Sequence, residues 1–128
     1  LQLVITECLL EQFPNEPEGH LAKRRAALVC GTMLATIARQ IKLGDYIDMS
    51  FSEISHQGRD NETNLEDCLE AVIGALYQDG GIDVVRYFVK HYWLQHIYTM
   101  KHPPKDAKST LQEWVQSQAK PLPLYQLI

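Results

Sequence analysis

No apolar run in this sequence approaches the roughly 20 residues that a membrane-spanning helix needs, and the opening LQLVITECLL has neither a basic flank nor a small-residue cleavage site. The chain is therefore expected to be soluble, untargeted and cytoplasmic, with no membrane partner. Cysteine is scarce: Cys8, Cys30 and Cys68 are odd in number, widely spaced and each set among apolar residues. That pattern excludes a disulfide framework and a cysteine zinc site, and it predicts buried free thiols in a reducing compartment. The five histidines, His20, His56, His91, His96 and His102, include no HxxxH and read as surface or partly buried polar groups. Positive charge is also in deficit, with 12 Lys and Arg against 16 Asp and Glu for a net charge of −4. A coat of positive potential is thus excluded, although a local acidic patch holding metal cations could still contact a polyanion. Internal repeats and low-complexity segments are absent.

What is present is enough apolar material for one globular core: 45% hydrophobic residues in a chain of 128. Residues 1 to 12 carry an apolar face (Leu1, Val4, Ile5, Cys8, Leu9) and predict a helix that starts without a capping signal. FPNEPEGH, from Phe13 to His20, has two prolines and a glycine and makes a loop. From Leu21 to about Ile41 the apolar residues keep a helical period, as one long helix or two short ones. A turn follows at Gly44–Asp45, and FSEISHQGRDNET reads as polar and irregular. Asn64 to Gln78 is helical, with Thr63 or Asn64 as N-cap and Glu66 and Asp67 in the first turn. Gly80 and Gly81 end it. IDVVRYFVKHYWLQHIY resumes a helix whose dense aromatics look like core, KHPPKDAK is a linker, STLQEWVQSQ a short helix, and KPLPLYQLI the start of a strand.

The stretch NLEDCLEAVIGALYQDGG poses the chemical question. At 100° per residue, Leu65, Leu69, Val72, Ile73 and Leu76 gather on one side, while Asp67, Glu70, Ala71, Gly74 and Gln78 gather on the other. Asp67 and Glu70, at i and i+3, repel each other unless something joins them. One reading is a solvated face with acids near the positive end of the helix. The other takes the small Ala71 and Gly74 as room for a close approach and the carboxylates as part of a site for a hard divalent cation such as Mg²⁺. Two carboxylates are too few to complete such a site.

Several stretches together resemble one family, bacterial ribonuclease III. LEDCLEAVIGALYQDGG resembles its second acidic motif, LADxxEAxxGAxYxDGG. FPNEPEGHLAKRRAALV resembles FPxxxEGxLxxxRAxLV, LGDYI resembles its usual turn, and GRDNETNLED its basic-to-acidic lead-in. KDAKSTLQEWVQ followed by PLPLYQLI resembles the first helix and strand of a double-stranded-RNA-binding domain. Departures are Asn64 and Glu66, where the family more often has Ile and Ala, and HQG before the arginine. The family's ERLEFLGD signature, which supplies further acidic ligands, does not occur in these residues, so an internal piece of a longer protein is expected.

The resemblance implies an all-α endonuclease domain over residues 1–100, a linker over 101–107, and over 108–128 the opening helix and strand of an α/β RNA-binding domain. It implies that Asp67 and Glu70 are catalytic and bind Mg²⁺, with Mn²⁺ as a substitute. Glu18, Arg59, Ser109 and Gln112 become RNA-binding residues, and Glu66 adds negative charge without being a ligand. The implied reaction is hydrolysis of duplex RNA to 5′-phosphate and 3′-hydroxyl ends, in rRNA and other RNA processing, by a homodimer. Composition and periodicity alone equally allow a non-catalytic all-α module for dimerisation or RNA binding.

Overall fold

The computed structural model describes residues 1–105, 107–119, 121 and 123–124. Among them every regular element is a helix: α1 Gln2–Gln12, α2 Glu18–Leu28, α3 Gly31–Gln40, α4 Phe51–Ser55, α5 Glu62–Thr99 and α6 Ala107–Ser117, with short 3₁₀ turns at Leu43–Tyr46 and Gly58–Asp60. The expected all-α architecture is therefore present. The expected terminal strand falls largely on residues outside those described.

The core forms where apolar positions repeat at helical spacing. Val4, Ile5, Cys8 and Leu9 of α1, Leu34, Ala35, Ile37 and Ala38 of α3, and Leu65, Leu69 and Ile73 of α5 are buried together. They are joined by a strict i, i+4 stripe further along α5, namely Val85, Val89, Trp93 and Ile97. Helix α5 packs most extensively on α3. It is not one straight rod, because the backbone at Gly81 leaves helical geometry (φ 74°, ψ −171°), a region essentially reserved for glycine. The helix break anticipated at the two glycines is thus a kink between two helical halves.

Two polar anchors fix the remaining helices. The Trp93 indole N–H donates to the Leu28 carbonyl at 2.8 Å, satisfying one of the open carbonyls at the end of α2. Arg24 is only 2% exposed. Its Nε and Nη2 donate to the two carboxylate oxygens of Glu16 at 2.6 and 2.9 Å, and its guanidinium lies 4.0 Å above the Phe13 ring. The same group donates to the carbonyls of Met100 and Lys101 just beyond α5, bonding across 76 residues of sequence. On the outer side, Arg86 forks onto Glu7 and Lys90 meets Glu11, tying α1 to the second half of α5.

Several expectations are corrected. Leu21–Ile41 is two helices, parted at Val29–Cys30, where Cys30 is extended (φ −74°, ψ 158°). The segment read as irregular contains α4, capped by Ser50 accepting from the Glu53 amide, and a 3₁₀ turn. The N-cap of α5 is Asn61, whose side chain accepts from the Asn64 amide, rather than Thr63 or Asn64. Its first-turn acid is accordingly Glu62, and Glu66 and Asp67 lie in the second turn. Only Cys8 is a buried thiol, pushed above its ordinary pKa chiefly by desolvation; Cys30 is exposed at the α2–α3 junction and Cys68 is half-buried. Among the aromatics, Trp93 is core, but Tyr87 and Tyr98 are exposed, as is Val84, because the buried stripe of α5 is too narrow to include them.

Candidate active site

Four acids occupy the first three turns of α5, and what each of them meets divides them. Glu62 and Glu66, at i and i+4, face the N-terminal turn of α3. Glu62 Oε1 accepts from the Thr32 hydroxyl at 2.9 Å. Glu66 packs so closely on Gly31 that a Cβ there would lie 2.3 Å from Oε2, placing a carboxylate at the positive end of α3. Asp67 lies about 100° around the axis from Glu66, and Glu70 one turn beyond Glu66; both are exposed, and among the described residues neither makes a side-chain hydrogen bond or ion pair. Ala71 and Gly74 are exposed beside them, and a Cβ on Gly74 would meet nothing within 4 Å. The room inferred at Gly74 is therefore open, and none of the described residues fills it.

Asp67 borders an open hollow of about 470 Å³ with Asp48, Glu53, Asn64 and Cys68. Glu70 borders a different one with Leu1, Ile73, Gly74, Tyr77 and Val85. Asp48 and Glu53 were not singled out from the sequence, since each stands alone in a polar loop with no motif spacing. Among the described residues no group of three or more His, Cys, Asp or Glu side chains is placed to hold a metal ion. The donors present fit a hard divalent cation by chemistry, being two carboxylates a helical turn apart, but they fit only part of its shell.

The other predicted residues lie apart from this face. Glu18 opens α2 and lines a small hollow against α1 with Thr6, Leu9, Leu10 and Arg25. Arg59 sits half-buried in the second 3₁₀ turn, where Nη1 donates to the carbonyls of Gly44 and Ile47 at 2.8 and 2.9 Å. That ties the Gly58–Asp60 turn to the Leu43–Tyr46 turn, and the backbones approach so closely that a Cβ on Gly44 would lie 2.2 Å from the Arg59 carbonyl oxygen. Ser109 and Gln112 lie one turn apart on α6, both half-buried.

A family model described as Ribonuclease-III-like matches residues 1–97, three quarters of the chain. The chain belongs to the ribonuclease-III-like family. It is 50% identical over all 128 residues to a ribonuclease 3 of Ehrlichia ruminantium (strain Welgevonden), covering 56% of that protein. A ribonuclease 3 of the Wolbachia of Drosophila simulans (strain wRi) is 48% identical over the same span, with 55% covered. The chain thus spans about half the length of the curated relatives it matches. Among solved structures, it is similar to the nuclease domain of ribonuclease III from Campylobacter jejuni. One structure of that domain, described in terms of flexibility in a region involved in dimer formation, is 39% identical with a TM-score of 0.64 over 77% of this chain and 66% of the other. A second, at 2.2 Å resolution, is 38% identical with a TM-score of 0.62, covering 81% of this chain and 67% of the other. Both similarities concern a helical nuclease fold, in agreement with the all-α family fold expected from the sequence. Among the described residues no helix is long and apolar enough to cross a membrane.

Proposed function

We propose that this chain forms part of an endoribonuclease that hydrolyses double-stranded RNA, with Asp67 and Glu70 as metal-binding catalytic residues. The observation that carries the reading is the division of acids on α5: Glu62 and Glu66 are engaged by α3, whereas Asp67 and Glu70 stand exposed and unpaired on a family acidic motif. A bound Mg²⁺, or Mn²⁺ in its place, would supply Lewis-acid activation of water and stabilise the leaving 3′ oxygen, giving 5′-phosphate and 3′-hydroxyl ends. The chain's own part is to hold two oxygen donors on a rigid helix, anchored to the core by Leu65, Leu69 and Ile73. Water, substrate phosphate and further acids would have to complete the shell of such an ion. Residues 1–100 would be the nuclease domain, 101–107 its linker and 108–128 the beginning of an RNA-binding domain. A cytoplasmic homodimer acting in rRNA and other RNA processing completes the proposal, with Glu18, Arg59, Ser109 and Gln112 on the RNA side.

The test uses an enzyme of the relatives' full length that contains this sequence. Glu70→Ala and Asp67→Ala should each lower Mg²⁺-dependent cleavage of duplex RNA at least about a hundredfold without lowering the melting temperature, since both side chains are exposed. Undiminished cleavage by Glu70→Ala would sink the assignment. A second reading, a non-catalytic all-α module for dimerisation or RNA binding, is favoured for these residues by themselves, because among the described residues no three His, Cys, Asp or Glu side chains are placed to hold a metal ion. Negligible turnover by the isolated chain is the expected result.

A further inference from the structure

We propose that Asn64 is a positioning residue for the metal-binding face of α5: it holds Glu53 on the rim of the hollow that Asp67 borders, where the Glu53 charge favours the approach of a hydrated divalent cation. The inference rests on the reading of Asp67 and Glu70 as metal ligands. Asn64 stands one turn before Asp67 on α5 and lines the same hollow as Asp48, Glu53 and Asp67. Its side-chain nitrogen Nδ2 donates to Glu53 Oε1 and to the Gly58 carbonyl oxygen, both at 3.1 Å. Two acceptors thus claim the two hydrogens of one NH₂ group, which fixes the orientation of the amide.

The tether matters because little else holds this wall of the hollow. Helix α4 buries none of its residues, and Phe51 at its start is 87% exposed, so packing does not anchor it. The Ser50 hydroxyl accepts from the Glu53 amide at 3.3 Å, but that cap lies within the segment itself. Among the described residues, the bond from Asn64 to Glu53 is the one side-chain hydrogen bond between α4 and α5. Glu53 also rests on the following 3₁₀ turn, where a Cβ on Gly58 would lie 2.6 Å from Glu53 Cγ. Asn64 therefore grips both sides of that contact at once. An Ile at this position, which the ribonuclease III family more often has, could donate to neither. Glu53 is not placed as a third ligand, since no three such side chains are gathered among the described residues. Its part is to act through its charge and through the waters that Mg²⁺ keeps in its shell.

The experiment uses an enzyme of the relatives' full length that contains this sequence, and compares Asn64→Ile with Glu53→Gln. Amide hydrogen exchange without metal should quicken about three- to tenfold over residues 47–58 in Asn64→Ile, the effect of losing one or two hydrogen bonds. It should stay at the parent rate in Glu53→Gln, whose side-chain oxygen still accepts from Asn64. Both variants should raise the Mg²⁺ concentration for half-maximal cleavage about two- to fivefold, with a smaller effect on the rate at saturating Mg²⁺. Unchanged exchange in Asn64→Ile would overturn the proposal. So would faster exchange with an unchanged Mg²⁺ requirement, which would make Asn64 a brace of the fold alone. A parental Mg²⁺ requirement in Glu53→Gln would overturn it too, and this exposed position is safe for folding. Cleavage surviving Glu70→Ala is a separate result: it would sink the catalytic reading while leaving the exchange measurement to decide the tether.

Discussion

Replacing Arg24 by Ala removes a buried cation that joins three parts of the chain. It leaves Glu16, whose side chain is 16% exposed, without its forked partner, strips the Met100 and Lys101 carbonyls of a donor, and opens space over Phe13. Breaking a buried pair from one side costs about 3–5 kcal/mol, a large share of the 5–15 kcal/mol that typically holds a domain together. For a chain of this size that corresponds to a fall in melting temperature of roughly 10–20 °C. Circular dichroism melts and urea titrations of Arg24→Ala measure it, with the exposed neighbour Arg25→Ala as a control expected to stay within about 0.5 kcal/mol. Arg24→Lys should fall between them, since an ammonium cannot fork onto both Glu16 oxygens and two carbonyls at once.

The same pair sets an acid limb. The hydrogen bonds from Arg24 hold the Glu16 carboxyl below its ordinary pKa, against an opposing push from desolvation and with smaller help from the charges of Arg24 and His20. A carboxyl lowered in the folded state contributes stability in full above its unfolded pKa, about 4.3, and loses it as pH falls through the lower folded value. Stability should therefore decline below about pH 4.3, and Glu16→Gln should flatten that decline. An Arg24→Ala melting temperature within a few degrees of the parent, with the acid limb intact, would refute the argument that this pair anchors α5 to the Phe13 loop.

Two backbone predictions carry opposite signs. Gly81→Ala should destabilise by about 1–3 kcal/mol through backbone strain alone, because a Cβ there meets nothing within 4 Å while φ is +74°; a shift in urea midpoint reads it. Gly74→Ala should stabilise by about 0.5–1 kcal/mol, its added methyl meeting only open space; a lowered midpoint would mean that the glycine has a structural duty in this chain.

Much of the fold could be read from periodicity, and the failures share a cause. Val4, Ile5, Cys8 and Leu9, or Leu65, Leu69 and Ile73, declare a buried face by spacing alone. Arg24 declares nothing: within AKRRA it reads as one of three surface cations, and its burial is decided by Glu16 and by carbonyls 76 residues away. Asn61 was hidden in the same way, because Thr63 and Asn64 are equally good caps by residue type, and the approach of the Gly58–Asp60 turn selects among them. Cys30 looked apolar by company, yet the break between α2 and α3 turns it outward. Periodicity specifies direction around one helix, whereas these outcomes depend on what a neighbouring element brings to that direction.

The candidate site follows the same rule with the opposite result. On α5 Glu62, Glu66 and Glu70 follow one another at i, i+4 and i+8, so Glu70 lies only about 40° around the axis from Glu66 but a further turn along it, whereas Asp67 lies about 100° or more from the first two. The first pair is held by Thr32 and the end of α3, so those acids contribute to packing. Asp67 and Glu70 make no side-chain hydrogen bond or ion pair among the described residues, and keeping two like charges a turn apart and unpaired opposes helix stability slightly. A face that costs stability and returns none to the fold is open to a role outside it. Fold and chemistry can then be separated by mutation: changes at Glu62 or Glu66 should lower the melting temperature, and changes at Asp67 or Glu70 should leave it level or slightly raised while altering what the helix binds or cuts.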